Sequence, residues 1–523
     1  MASQRKSHVL RVTGLSRELT DGDLTTALQE AINDNFTDDE KSHSKVDISI
    51  VPSCYEDNTQ RVALVQFRGG VPQFLDELRV DPLGEWQVEI GDTDINFDCH
   101  FFGFTQLYTL DENKPVDADI IAIAGLDGHA YGSWQGRGNL GRMWLRDFLS
   151  KDLPRCRTMI YGYNSKLSSH GVDTILDYGR ELMEEIKKIR NTKELQQRPL
   201  VFIAHSFGGI IMAHCLVRAI QTMEEDHPAI TSLHRATYGM ILFAIPHKGL
   251  VMDDIQQMLA GDKSHPREQL LRQISSKSDV LIHQVADFRN LIRDRKVVSL
   301  YEMKQTRRLV LDSESGRWKR TGDFMTTVGA DSALLQLPDH AEDKVPLHAD
   351  HSIIVKFDKR DAPGYRTALD RLRQFSKDAP SVVAARFNAS NAPAALLQGS
   401  AVRKRNIIDN DSETPKAKRA RLYDSASSPN SEESDTTHYE DDNIFDDISQ
   451  EKVYNMGEPW EESHKSFSGS LTARDATSEI GSPFRYGSSS REGSSSEYEL
   501  ADESDILEPD ELSMSEESIS SAC

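Results

Sequence analysis

The chain has 523 residues, with 61 Lys plus Arg against 84 Asp plus Glu and a formal net charge of −23. That length accommodates two or three domains, and so acidic a surface argues against general affinity for nucleic acid or anionic membranes. The cysteines Cys54, Cys99, Cys156, Cys215 and Cys523 show no paired or metal-ligand spacing, which fits a reducing, intracellular setting. The stretch Met1-Ala-Ser-Gln-Arg-Lys-Ser-His8 lacks the apolar core of a signal peptide, and no run approaches the roughly 18 apolar residues of a membrane span. Secretion and a transmembrane segment are therefore not expected.

Residues 7–110 read as a first domain. His8-Val-Leu-Arg-Val-Thr-Gly14 is strand-like, and Thr20 caps a helical pattern that runs to Ile32. Val46–Val51 and Gln60–Phe67 predict strands, Val71–Leu78 a helix, and Phe97–Tyr108 a last strand. The order β-α-β-β-α-β is the ferredoxin-like pattern, and the segment resembles an RNA-recognition motif. Leu10-Arg-Val-Thr-Gly-Leu15 and Arg61-Val-Ala-Leu-Val-Gln-Phe67 stand where that family's two RNA-contact strands would lie. The resemblance implies bases stacked on strand aromatics. Ala63 and Val65 occupy those internal positions and only Phe67 is aromatic, so a structural or protein-partner role is expected here rather than RNA binding.

Residues 117–381 alternate strand-like and helix-like segments and predict an α/β domain. Asp119-Ile-Ile-Ala-Ile-Ala-Gly125 reads as a buried strand running into a loop with Gly125, Gly128 and Gly132. Further on, Leu200–Ala204 is a continuous apolar run of the kind found in parallel sheets. It ends in Ala204-His205-Ser206-Phe207-Gly208-Gly209, and an apolar helical pattern follows at once. Strand, small-x-Ser-x-Gly turn and helix make a nucleophile elbow, in which a strained turn lifts the serine hydroxyl above the sheet. Ala204 stands where the motif usually has Gly. Ser206 is the candidate nucleophile. An oxyanion would be held by the Phe207 N–H and by a second N–H from the earlier loop, assigned to Leu126 with Asp127 as its neighbour.

The motifs then line up with a known group. Gly125-Leu-Asp-Gly-His129 with Trp134, Trp144-Leu-Arg-Asp-Phe-Leu149, Arg157–Tyr163, the elbow, Pro246-His-Lys-Gly249 and Leu347–Phe357 occur in one order. In this the chain resembles the serine esterase and lipase family of α/β-hydrolases, which includes serine-active-site-containing proteins and the hydrolase domains heading many fungal NACHT and ankyrin-array proteins. The resemblance spans Gly125 to Phe357. It implies an α/β-hydrolase fold, a Ser-His-acid triad and an ester, small-molecule or lipid, as substrate.

The resemblance places the histidine at His351, with His348 and His340 nearby. It favours Glu302, at the end of the strand-like Lys296–Met303, as the acid; Asp331 and then Asp339 are the alternatives. His205 and His247 read as local structural residues. Met252–Asp294 is helical in pattern and positioned to cap the site. No metal-ligand spacing and no phosphate-cradling Gly-rich loop occurs, so neither metal nor cofactor is expected.

From residue 384 to 523 the chain is rich in Ser, Asp and Glu without periodic apolar residues, and disorder is expected. Arg403-Lys404-Arg405 and Lys416, Lys418, Arg419 and Arg421 form two basic clusters ten residues apart. They resemble a bipartite nuclear import signal read by an import receptor, which implies residence in the nucleus, the cytoplasm or both. The sequence thus points to a serine esterase or lipase-like enzyme. The alternative is a hydrolase scaffold without activity that serves protein interaction or signalling.

Overall fold

The computed structural model describes residues 8–55, 60–68, 70–167, 169–222, 227–250, 265–276, 278–308, 310–311, 318–319 and 321–390. Both basic clusters of the C-terminal region lie outside the described residues. None of the described helices is long and apolar enough to cross a membrane.

The N-terminal part is a five-stranded antiparallel sheet. Its strands are β1 (His8–Ser16), β2 (Lys45–Pro52), β3 (Gln60–Arg68), β4 (Glu85–Ile90) and β5 (Thr93–Asp98), in the spatial order β2-β3-β1-β5-β4. The helix Asp21–Asn35 begins where Thr20 accepts the Asp23 N–H at 3.1 Å, satisfying one of the orphan donors of the first turn. Alternation along the strands sorts side chains onto two faces. Leu10, Val12, Ala63, Val65 and Phe67 join Leu24, Leu28 and Ile32 of the helix in one core, whereas Val9 and Leu64 point the other way into the core of the second domain. The face opposite the helix is therefore covered. Arg11 seals it, reaching Asp98 at 2.7 Å, the Phe102 carbonyl at 2.7 Å and Thr105 Oγ1 at 3.1 Å. Phe67 is fully buried and packs edge-on against Phe36.

Two expectations for this region are corrected. The single last strand over 97–108 is broken: β5 ends at Asp98, Phe101 (φ +57°) and Gly103 (φ +74°) turn the chain, and β6 (Gly103–Gln106) joins a different sheet. A boundary at residue 110 consequently cuts through the second domain. The helix expected over Val71–Leu78 is instead a 3₁₀ turn at Gln73–Leu75 followed by one α turn at Glu77–Val80.

The second sheet has seven strands. After β6 come β7 (Ala118–Ile123), β8 (Cys156–Gly162), β9 (Leu200–His205), β10 (Thr237–Phe243), β11 (Lys296–Glu302) and β12 (Glu342–Leu347), in the order β12-β11-β10-β9-β7-β8-β6. All neighbours are parallel except β6, which runs antiparallel to β8. Every residue of β7, β9 and β10 is buried, as parallel strands covered on both faces require. The helices Ile175–Ile189 and Asp279–Leu291 pack on Phe207–Ile220, while Pro363–Ser390 lies along β10 and β7. This order, with a crossover between β7 and β8 and the serine turn after the central β9, is that of an α/β-hydrolase.

At the N-terminal end of β7, Asp119 is fully buried. It is held by Arg157 at 2.9 and 2.8 Å and by Arg190 and Arg198. Burial acts to raise its pKa, but Arg157 and Arg190 outweigh it and the carboxyl stays below its usual range.

The last helix corrects the boundary at 381–384. Pro363–Ser390 continues through Pro380, and Val383 (0% exposed) and Phe387 (7%), four residues apart, bury one face.

Candidate active site

The C-terminal ends of the central strands converge on Ser206. Ser206 has φ +49° and ψ −127°, a conformation that non-glycine residues rarely adopt. The turn is held because Ser206 N–H donates to the Phe243 carbonyl of β10 at 3.1 Å and Ser206 O accepts the Gly209 N–H at 3.0 Å. It closes only because Gly208 lacks a side chain. A Cβ there would lie 2.4 Å from the Ala124 carbonyl oxygen and 2.5 Å from that of Ile123, both backbone atoms of the β7 end. Gly125 is equally constrained, since its Cβ would stand 2.9 Å from Ser206 Cβ.

His351 lies just beyond β12, and its Nε2 is 3.0 Å from Ser206 Oγ. The loop carrying it is fastened at several points. Asp350 Oδ1 accepts the Ser352 and Ile353 N–H groups at 2.9 and 3.1 Å, and Trp144 Nε1 donates to the Val355 carbonyl at 2.9 Å. His205, the residue before Ser206, is bonded through Nε2 to the His351 carbonyl at 3.1 Å. A carbonyl only accepts, so His205 carries its proton on Nε2. Burial, and then the neighbouring His351, hold the His205 pKa well below the usual imidazole value, keeping it neutral. Sequence reasoning gave His205 only a local role; its reach to His351 depends on a contact between residues 146 positions apart.

Glu302 closes the line at the end of β11. Its Oε1 accepts the Val328 N–H at 2.5 Å and stands 3.7 Å from His351 Nδ1. That gap is about 0.8 Å longer than an ordinary N–H···O bond of ~2.9 Å, so the two stand within ion-pair range without a hydrogen bond, and His351 Nδ1 has no other partner among the described residues. Ser206, His351 and Glu302 are 0, 2 and 5% exposed, and charge interactions among them are weakly screened.

The structure does not bring the alternative residues to this line. Asp331 is exposed and paired with Lys248 Nζ at 2.7 Å, and Asp339 is paired with Lys344 at 2.9 Å. His348 and His340 are exposed. Of the two loop donors, Asp127 N–H is spent on the Ser165 carbonyl at 2.8 Å. Leu126 N–H and the first helical N–H, that of Phe207, meet no acceptor among the described residues. The Phe207 amide is one that a helix start leaves unpaired. His247 is buried and stacked near Phe288 at 6.3 Å, and burial pushes its pKa down to about 3.

Part of the expected cap, residues 251–264, lies outside the described residues. The rest is built into the domain. Gln284 Nε2 of the helix Asp279–Leu291 donates to the Ile210 carbonyl at 2.9 Å, and the buried Arg267 binds Tyr178 and Ser169, each at 2.6 Å. Among the described residues no group of His, Cys, Asp or Glu is arranged to hold a metal ion.

Residues 121–265 match the family described as "Putative serine esterase (DUF676)", a span that contains the Gly125–Leu126 loop and Ser206 and ends before Glu302 and His351. The chain carries a segment similar to the serine esterases. Protein SERAC1 of Danio rerio is 23% identical over 293 residues, covering 51% of this chain and 40% of that protein. Protein SERAC1 of Bos taurus is 24% identical over 289 residues with the same coverage. The chain thus spans 40% of the length of these curated relatives. Among solved structures, the mature lipase BlEst2 of Bacillus licheniformis is 14% identical, with a TM-score of 0.35 over 51% of this chain and 97% of that one.

Proposed function

We propose that this protein is a serine hydrolase acting on carboxylic esters, with Ser206 as nucleophile, His351 as general base and Glu302 as the acid that orients and stabilises it. The reading rests chiefly on the 3.0 Å contact between Ser206 Oγ and His351 Nε2 at a strained strand-to-helix turn. His351 takes the hydroxyl proton as Ser206 attacks the ester carbonyl, and general-base help of this kind contributes about 10²–10⁴-fold. The oxyanion sits against the N–H groups of Phe207 and Leu126, where a single donor is worth roughly 10²–10³-fold. The protonated His351 returns its proton to the departing alcohol, and a water activated by His351 then releases the acyl group from Ser206. The family resemblance extends the substrate class to small-molecule and lipid esters alike. Turnover of short-chain p-nitrophenyl esters tests the proposal. Wild type should hydrolyse them, with Ser206→Ala and His351→Ala lower by at least a thousandfold. Equal rates in all three would remove Ser206 from the chemistry, and an inert, folded wild type would leave the scaffold reading in its place.

The N-terminal sheet is proposed to be a ferredoxin-like unit with a structural role, because its helix-free face is packed on the hydrolase domain by Val9, Arg11 and Leu64. That burial counts against RNA at this face. The basic clusters at 403–405 and 416–421 are proposed to bind an import receptor. Alanine at all seven cations should abolish nuclear accumulation of a fluorescent fusion, and unchanged accumulation would refute the signal.

A further inference from the structure

A cavity of about 460 Å³ opens where the N-terminal sheet meets the hydrolase domain. None of its lining residues belongs to the serine site. One wall is partly apolar: Val51 of β2, Leu107 and Phe148 border the space, while the side chain of Ile50 packs into the N-terminal core on the other face of the strand. The other is cationic: Arg142, Arg146, Lys151 and Arg360 border the space, and Asp147 is the sole carboxylate among them. Asp147 is already engaged by Arg146 Nε at 2.9 Å and by the Met143 N–H at 3.0 Å. Arg360 shares Asp152 with Arg373 and with the Tyr365 hydroxyl. Arg142 and Lys151 have no ion-pair partner among the described residues.

Residues 1–390 hold 49 Lys plus Arg against 55 Asp plus Glu, so the folded part is close to neutral and most of its cations have a carboxylate to pair with. Two left unpaired on a concave wall, beside Arg360 whose carboxylate is shared with Arg373, give a local excess of positive charge. The volume lies in the range of small-molecule sites, roughly 300–1,000 Å³, and exceeds what a bare inorganic ion fills. Guanidinium groups match the oxygens of a phosphoryl group in geometry as well as charge, and an ammonium adds a point charge.

We propose that this cavity binds a small organic molecule bearing a phosphoryl group, whose oxygens meet Arg142, Lys151 and Arg360 while its apolar body lies on Val51, Leu107 and Phe148. The molecule is a free phosphorylated metabolite or the headgroup end of a phospholipid. The proposal is independent of the hydrolase reading, because the residues that carry it make no contact with Ser206, Glu302 or His351.

Isothermal titration of the full chain tests it with two probes, inorganic pyrophosphate and monomeric 1,2-di-O-butylglycerol 3-phosphate, a diether lipid without a carboxylic ester for Ser206 to cleave. Saturable binding of at least one probe is expected, weakening as KCl is raised. The double substitution Arg142→Glu with Lys151→Glu should lower affinity at least tenfold. Arg142→Gln with Lys151→Gln, checked for an unchanged melting temperature without probe, provides the same comparison if the reversed charges disturb folding. Binding of both probes identifies the free phosphoryl group as sufficient, and binding of the lipid alone identifies the headgroup source. No saturable heat with either probe, or equal binding by wild type and a folded variant, overturns the proposal.

Discussion

Replacing Glu302 with Gln isolates the charge of the acid from its shape. Gln keeps an oxygen for the Val328 N–H and fills the same buried volume, so the fold should persist. What disappears is the negative charge 3.7 Å from His351 Nδ1. When His351 accepts the Ser206 proton it becomes a cation in a buried place, and Coulomb's law at an effective dielectric constant of about 20 gives about 4.5 kcal/mol for that pair. At 1.36 kcal/mol per tenfold, the loss corresponds to about a 2,000-fold fall in kcat/KM. The assay is hydrolysis of p-nitrophenyl butyrate by wild type, Glu302→Gln and Asp331→Asn. Asp331 is exposed and tied to Lys248, so its variant should stay within about twofold of wild type. A Glu302→Gln enzyme within tenfold of wild type, or an Asp331→Asn enzyme as damaged as Glu302→Gln, would refute the reasoning.

Three further outcomes follow from buried groups. His247 has its pKa pushed down to about 3 by burial and then by Arg289, against about 6.5 in an unfolded chain. The unfolded state therefore binds the proton first, and stability should fall as pH drops from 7 to 5, by about 2 kcal/mol from this group. Urea titrations of wild type and His247→Phe should show a shallower pH slope in the variant, and identical slopes would contradict the assignment. Gly208→Ala forces a methyl against two carbonyl oxygens and should cost about 1–3 kcal/mol in urea unfolding, with a larger proportional loss of turnover; an unchanged midpoint and rate would show the elbow to be slack. Arg11→Leu removes the guanidinium from Asp98, which is 1% exposed, and should destabilise the chain by about 3–5 kcal/mol. An unaltered melting temperature would mean the two domains do not depend on that contact.

The parts of the fold that sequence pattern conveyed were those governed by local rules. The apolar runs at 120–124 and 200–204, too short for a helix and each followed by a Gly-bearing turn, read as buried parallel strands, and the Ser-x-Gly spacing after the second marks a tight turn. Thr20 announced its helix because capping is decided within three residues. Tertiary competition decided the rest. Gly103–Gln106 looks like the end of an N-terminal strand, yet pairing with Gly162–Met159 of β8 claims it for the other sheet. Val383 and Phe387 follow a proline that normally ends a helix, and only packing against the domain reveals that the helix continues through it. In the site, Ser206 was named by its neighbours in sequence, whereas His351 and Glu302 were named through a family pattern. Their spacing of 49 residues carries no geometric information of its own. The bond from His205 to the His351 carbonyl had no sequence signal at all.

Labelling with a fluorophosphonate, followed by peptide mapping of the adduct, tests the central claim most directly, because the reagent reports an activated serine without knowledge of the substrate. One equivalent of phosphonate on Ser206, lost in His351→Ala and strongly slowed in Glu302→Gln, is the predicted result. A folded wild-type protein that takes up no label, or takes it on another serine, would contradict the account.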